Sequence, residues 1–241
     1  PRFKIMNKGI VYLIPCPIGE NPPELVLPKH TLEVVQSLEN FIVENEKTSR
    51  RFLRASSHPK PIRELTFETL NKHTLETDIV NYIEPLSKGE SIGVISEAGC
   101  PGVADPGAQV VRLAHKKGFQ VIPLIGPSSI LMALMGSGFN GQSFSFVGYL
   151  PKDKKELKNK IKDLEVLSKK YNQTQIFIET PFRNTQMLEN LKTFCNPSTK
   201  ISIAANINQK NELIKTMTIS KLQPNNFNIH KIPAVFSLMV E

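Results

Sequence analysis

The sequence has few cysteines, few histidines and no long apolar run. Its three cysteines, Cys16, Cys100 and Cys195, are far apart and form no Cys-x-x-Cys pair. It therefore predicts neither a zinc site nor a disulfide framework. The five histidines are scattered without a His-x-x-x-His pair, so no metal is expected. No stretch approaches the ~20 apolar residues that cross a bilayer. These absences favour a protein of the reducing cytoplasm with no membrane association.

The first twenty residues do not resemble a signal peptide. The apolar run at 10–14 is too short for the apolar core of such a peptide, and it leads directly into a Pro/Gly loop. The spacing of Gly136, Gly138 and Gly141 matches a dinucleotide-binding fingerprint, but these glycines follow an apolar helix rather than a strand. We therefore interpret them as a helix terminator.

The chain has 241 residues, enough for one large or two modest domains, and a formal net charge of +8. A positive charge favours polyanionic partners such as nucleic acid, although many basic proteins bind no polyanion.

Alternating apolar patterns predict an α/β fold. Strands are predicted at 9–14, 41–43, 64–70, 92–95, 120–125, 143–147, 175–179, 200–207 and 234–240. Helices are predicted at 30–38, 49–55, 78–86, 130–135, 152–170 and 184–194, with a loop at 21–29. The 152–170 helix carries an apolar stripe of Leu157, Ile161, Leu164 and Leu167. Strands that alternate with helices indicate a doubly wound, mostly parallel sheet. The natural boundary divides the chain into domains 1–125 and 126–241.

The most informative segment is the Gly/Pro loop between the strand at 92–95 and the next helix. Its sequence, SEAGCPGVADPG at 96–107, combines a fixed shape with little side-chain bulk. Such a loop exposes backbone to a ligand, and ligands of open α/β sheets bind at the carboxyl ends of strands. The next strand leads into GPSS at 126–129, which could cap a helix with exposed N–H groups. Two such loops predict a small-molecule cleft, although two ordinary strand-to-helix turns would also fit.

These motifs resemble those of the tetrapyrrole-methylase-like superfamily, whose members use S-adenosylmethionine (SAM). The ribosomal RNA small-subunit methyltransferase I branch, which methylates a ribose 2′-hydroxyl, is the most similar. Further matches follow in order: CPIGE at 16–20, GYLP at 148–151 and ETPFR at 179–183. The resemblance implies two α/β domains with a SAM cleft between them, usually in a homodimer, and ribosomal RNA or the small subunit as partner.

The resemblance also assigns cofactor contacts. The central loop would contribute Ala98, Gly99, Cys100, Pro101, Gly102 and Val103, and the first loop Pro17. Ser128 and Ser129 would meet the methionine end of SAM. The adenine would meet Tyr149, Leu150, Ala204, Ala205, Asn206, Pro233 and Ala234.

The residues expected near the methyl acceptor match the family motifs less well than the cofactor residues do. VENEK at 43–47 aligns with Cys-Glu-Asp-Thr-Arg of the family. A ribose hydroxyl needs a base nearby, so Glu44 is the candidate base and Lys47 a candidate phosphate contact. A surface patch of mixed charge on a turn is the alternative.

The segment 49–63 is strongly basic and could contact the RNA backbone. The predicted RNA contacts are Arg50, Arg51, Arg54, Lys60 and Arg63. A solvated helix face is the alternative.

Two departures from the family pattern leave the acceptor open. Phe182 stands where the family has histidine, and 204–212 lacks most of the family's charges. A tetrapyrrole or protein acceptor, and a protein that binds SAM or RNA without transfer, therefore remain alternatives.

Overall fold

The computed structural model describes residues 8–71 and 73–241, and the chain divides into two compact units, Pro1–Ser128 and Ser129–Glu241. Residues 1–7, the start of the segment compared above with a signal peptide, lie outside the described residues. Within the described part of the chain, no helix is both long and apolar enough to cross a membrane. Strands alternate with helices through much of both units, which confirms the predicted α/β class.

The first unit is built on a five-stranded parallel sheet. Its strands are β1 (Ile10–Ile14), β2 (Asn40–Val43), β3 (Thr66–Thr69), β4 (Ile92–Ile95) and β5 (Gln120–Pro123). They lie in the order β3-β2-β4-β1-β5, and every neighbouring pair is parallel, as predicted. Its helices are α1 (Pro23–Val26), α2 (Lys29–Ser37), α3 (Glu46–Ala55), α4 (Glu76–Tyr82) and α5 (Gly107–Lys116).

Both faces of this sheet are buried at its central strands β2 and β4. Successive side chains of a strand point to opposite faces, so Phe41 and Val43 of β2 join one apolar cluster and Ile42 joins the other. Covered faces are typical of parallel sheets, whose crossover helices pack on both sides. The sheet is therefore a rigid base for the loops at its edges.

The second unit carries a mixed sheet. Its strands are β6 (Phe144–Tyr149), β7 (Thr174–Ile178), β8 (Lys200–Ala205), β9 (Leu213–Thr218) and β10 (Ala234–Met239), and its helices are α6 (Ser129–Ser137), α7 (Lys154–Tyr171) and α8 (Asn184–Phe194). The order is β6-β7-β10-β8-β9, with only β6 and β7 parallel. Phe177 and Phe236 stack at 5.5 Å between ring centroids within its core.

Several local predictions were wrong. The predicted loop at 21–29 contains α1, which begins at Pro23, where the fixed φ of proline suits the first helical position. Strand β9 was not predicted, because this edge strand is at most half-buried and lacks a clear apolar alternation. The largely antiparallel pairing of the second sheet also departs from the parallel pattern.

The predicted stripe on α7 is correct except at its end. Leu167 is 37% exposed, while Glu165 is 4% exposed. The buried carboxylate accepts hydrogen bonds from the Asn196 N–H at 2.6 Å and the Thr199 hydroxyl at 2.5 Å, and it pairs with Lys162 at 3.0 Å. Burial of a charge is tolerated where such partners replace water.

Candidate active site

The candidate site lies at the carboxyl edge of the first sheet. Strands β1, β2 and β4 are parallel neighbours, so their ends deliver Cys16, Glu44 and Ser96 to the same edge. Ligands of open α/β sheets bind at such edges. The sequence-predicted first loop, acceptor segment and central loop are therefore neighbours within one unit.

The central loop is held open by backbone geometry and one carboxylate. Gly99 and Gly102 have φ of 68° and 83°, a region in which a side chain is strained. Asp105 accepts the N–H of Gly102 at 3.0 and 2.9 Å and the N–H of Gly107 at 2.6 Å. The predicted cofactor residues of this loop thus share a fixed shape, in which Val103 is exposed and Pro101 is buried.

Two contacts tie the loops of the first unit together. Cys16 and Gly99 exchange backbone hydrogen bonds of 2.9 and 3.1 Å, next to the predicted contact Pro17. The Cys100 thiol donates to the Pro127 carbonyl at 3.3 Å, which links the central loop to the GPSS segment and to Ser128. Burial raises the pKa of the Cys16 thiol, which disfavours the reactive thiolate.

Glu44 is held against the central loop. Its carboxylate accepts the Glu97 N–H at 3.3 Å, and its own N–H donates to the Ile95 carbonyl at 3.3 Å. Partial burial raises the pKa of Glu44, the hydrogen bond from Glu97 opposes this, and the negative charges of Asp105 and Glu97 add to it. A carboxylate with a raised pKa is a stronger proton acceptor than an ordinary surface glutamate.

Helix α3 starts directly after Glu44. Asn45 caps it by accepting the N–H groups of Lys47 and Thr48 at 3.0 and 3.3 Å. The Lys47 side chain is exposed, and the Thr48 hydroxyl donates to the Glu97 carboxylate at 2.6 Å. Sequence reasoning did not assign functional roles to Thr48, Glu97 or Asp105. The Asp-Pro-Gly sequence at 105–107 is a turn signal that points to Asp105 alone.

The predicted RNA contacts differ in their surroundings. Arg50 pairs with Glu46 at 2.7 Å, donates to the Ile62 carbonyl at 2.9 Å and lies 4.2 Å from the centre of the Phe67 ring. These contacts hold Arg50 against α3 and the segment that follows it, and its role in RNA binding stays a prediction. Arg51 and Arg54 are exposed on the same helix. Lys60 pairs with Glu39, and Arg63 with Glu64 at 3.9 Å, both as exposed pairs of little strength.

A cavity of about 540 Å³ opens beside these residues. The loop at 16–23, α3 and the end of β4 surround it, and its lining includes Asn21, Arg51, Phe52 and Glu97. Pockets of a few hundred Å³ bind small molecules or single groups of larger ones.

The second unit groups some of the remaining predicted contacts. Ala205 and Ala234 are paired across β8 and β10, and the Asn206 N–H donates to the Pro233 carbonyl at 2.9 Å. Ala204 and Leu150 are buried, whereas Tyr149 is 60% exposed. Ser129 begins α6. Among the described residues, no group of His, Cys, Asp and Glu side chains could hold a metal ion.

The chain is similar in sequence to bacterial ribosomal RNA methyltransferases. The chain is 30% identical over 213 residues to "Ribosomal RNA small subunit methyltransferase I" of Vibrio cholerae, covering 88% of this chain and 70% of that protein. It is 31% identical over 216 residues to the protein of the same name from Bacillus subtilis, covering 90% and 70%. No protein-family model matches the chain.

Solved structures with a similar fold include two methyltransferases. The methyltransferase CobJ matches with a TM-score of 0.63 at 16% identity, over 96% of this chain and 94% of that one. A uroporphyrin-III-C-methyltransferase from Thermus thermophilus matches with a TM-score of 0.55 at 18% identity, over 96% and 92%. At these identities the likeness shows the tetrapyrrole-methylase fold alone.

Proposed function

Because the chain belongs to the ribosomal RNA small subunit methyltransferase I family, we propose that it transfers a methyl group from SAM to a ribose 2′-hydroxyl of small-subunit ribosomal RNA. Its family membership makes it an enzyme, a methyltransferase. The single observation that carries the finer proposal is the position of Glu44. This carboxylate lies at the carboxyl edge of the sheet and accepts a hydrogen bond from the backbone of the Gly/Pro loop.

The chemistry of the loop suits SAM. SAM supplies a methyl group on a positively charged sulfur, and that charge is lost when the methyl leaves. Glu44, Glu97 and Asp105 give this edge a negative charge, which favours a cation. The bare backbone at Gly99 and Gly102 would lie against the cofactor, with Ala98, Cys100, Pro101 and Val103 alongside. Ser128 and Ser129 would hold its amino-acid end, and the predicted adenine contacts of the second unit would complete the binding.

Glu44 would position and deprotonate the acceptor hydroxyl. A ribose hydroxyl binds its proton tightly, so a nearby carboxylate that accepts this proton during transfer lowers the barrier. The raised pKa of Glu44 strengthens it in this role, provided that it is ionised. The fixed loop adds alignment of the methyl donor, which is the main requirement of an in-line displacement.

Exposed cations support RNA as the partner. The net charge of +8 favours a polyanionic partner. On α3, the exposed side chains of Lys47, Arg51 and Arg54 would contact phosphates. An enzyme with this substrate would act in the cytoplasm. The family resemblance also implies a homodimer, which light scattering in solution would test.

The decisive experiment is transfer of labelled methyl from SAM to small ribosomal subunits from a strain that lacks this gene. We expect label in the RNA of those subunits and none in wild-type subunits, whose site is already methylated. Absence of label in both, with SAM bound, would overturn the RNA acceptor. The same assay with a tetrapyrrole carboxylate or with ribosomal protein would then identify the alternative acceptor.

The role of Glu44 is tested in the same assay by Glu44→Gln. We expect a fall in kcat of about 100-fold or more, with the Kd of SAM little changed, because general-base catalysis contributes on this order. The wild-type rate should fall as pH drops through the pKa of Glu44, which lies above the usual glutamate value. Gln cannot ionise, so the residual rate of the variant should lack this dependence. Full activity in Glu44→Gln would remove Glu44 from the mechanism.

A further inference from the structure

The cavity beside α3 has a lining that fits one nucleotide. It occupies about 540 Å³ and is surrounded by the loop at 16–23, by α3 and by the end of β4. This volume holds a group of small-molecule size and has no room for a base-paired duplex. The cavity therefore points to a group that leaves the RNA stack.

Among the described residues, the charged lining of the cavity consists of one cation, Arg51, and two carboxylates, Glu20 and Glu97. Arg51 is exposed and lines the cavity, and within the described part of the chain its side chain makes no hydrogen bond, ion pair or ring contact. Its neighbour Arg50, in contrast, is committed to Glu46 and the Ile62 carbonyl. An unengaged guanidinium at the rim of a cavity is suited to bind a phosphate through two hydrogen bonds.

The carboxylates favour a nucleotide over a polycarboxylate. Glu20 and Glu97 line the cavity, and the Glu97 backbone donates to Glu44. Carboxylates accept hydrogen bonds from ribose hydroxyls, and a nucleotide can place its one phosphate at Arg51. A tetrapyrrole precursor carries several carboxylates, which Glu20 and Glu97 repel. Apolar surface from Phe52, Pro22 and Pro23 remains for the flat face of a base.

We propose that this cavity receives a single nucleotide unstacked from the RNA, whose ribose is the methyl acceptor. Arg51 binds the phosphate beside it, and Glu97 faces its sugar, which brings the 2′-hydroxyl towards Glu44. Enzymes that do chemistry on a base within a duplex commonly extrude that nucleotide into a pocket. This inference rests on the proposed function and specifies the conformation of the bound RNA, in which the acceptor nucleotide is unstacked.

The test uses the full chain and a short RNA that spans the methylated position, once labelled transfer has mapped it. 2-Aminopurine, a base that fluoresces more strongly when unstacked, replaces the neighbour of the acceptor. We expect fluorescence to rise on saturation with wild-type protein. Ala55→Phe, which fills part of the cavity from α3, should abolish the rise while the Kd of SAM stays unchanged.

Arg51→Ala and Arg54→Ala form a matched pair, since both residues are exposed on α3 and only Arg51 lines the cavity. At saturating RNA, Arg51→Ala should lower kcat roughly tenfold and reduce the fluorescence rise, because the nucleotide is bound less firmly in place. Arg54→Ala should raise KM alone and lower the salt slope of RNA affinity by about one.

The outcomes separate the two proposals. Transfer by wild type without a fluorescence rise, or equal effects of Arg51→Ala and Arg54→Ala on kcat, would overturn the nucleotide pocket and leave the methyltransferase intact. Weaker SAM binding in Ala55→Phe would assign the cavity to the cofactor and overturn the inference as well. Absence of transfer by the wild-type protein would count against both proposals.

Discussion

The shape of the central loop depends on the carboxylate of Asp105. It accepts the N–H groups of Gly102 and Gly107, the latter at 2.6 Å. A hydrogen bond to a charged group contributes about 1.5–3 kcal/mol. Two donors would therefore lose about 3–6 kcal/mol, but water reaches this half-buried side chain and replaces part of the loss. We expect Asp105→Ala to lower the free energy of unfolding by about 2–4 kcal/mol.

The same substitution should weaken SAM binding. Gly102 and Ala104 have φ of 83° and 62°, conformations that the loop would leave once the carboxylate is removed. SAM would then have to restore the order of the loop on binding. If this costs about 2–3 kcal/mol, the Kd rises about 30- to 150-fold.

The assay is calorimetric titration with SAM at a temperature where each variant is folded, together with thermal unfolding. Asp153→Ala is the matched control, because Asp153 also accepts two backbone N–H groups, both at 2.9 Å, at the start of α7. Loss of that cap should cost about 1 kcal/mol of stability and leave the Kd of SAM unchanged. An Asp105→Ala protein that binds SAM as tightly as wild type would refute the reasoning.

Two further predictions concern stability. In Gly126→Ala the new Cβ would lie 2.2 Å from Pro15 Cγ, so we expect a loss of about 1–3 kcal/mol or more in chemical denaturation. Gly141→Ala, where nothing lies within 4 Å, should differ little from wild type, and equal behaviour of the two variants would contradict this packing. The raised pKa of Glu44 means that the folded state favours its protonated form, so this contribution to stability is present at low pH and is lost as pH rises through that pKa. The melting temperature of Glu44→Gln should therefore rise relative to wild type as pH increases from the ordinary glutamate pKa through the raised pKa of Glu44. A constant difference would show that the pKa of Glu44 is not raised.

Local patterns predicted most of the fold and part of the site. The β-branched runs at Ile10–Ile14 and Ile92–Ile95 predicted buried parallel strands, because both faces of those strands are covered. They could not predict β9, whose residues are at most half-buried at a sheet edge, or α1, which lasts one turn. For such elements tertiary contacts decide the conformation more than local sequence does.

The arrangement of the candidate site also depends on tertiary contacts, so the sequence alone could not predict it. The motifs identified Glu44 and the Gly/Pro loop, but the hydrogen bond between them joins residues 53 positions apart. The basic pattern along α3 also predicted the same RNA-binding role for Arg50 and Arg51. Only the positions of Glu46, Ile62 and Phe67 show that the first arginine is held and the second is not.

The backbone pairing of Cys16 with Gly99 has a consequence for motion. Two hydrogen bonds join the end of β1 to the loop that follows β4, so neither loop can swing outward without carrying the other or breaking both bonds. The two loops should therefore move together when a substrate enters beside either of them. Opening of the site would appear in hydrogen exchange as one event, in which the amides of Cys16 and Gly99 lose protection at the same rate.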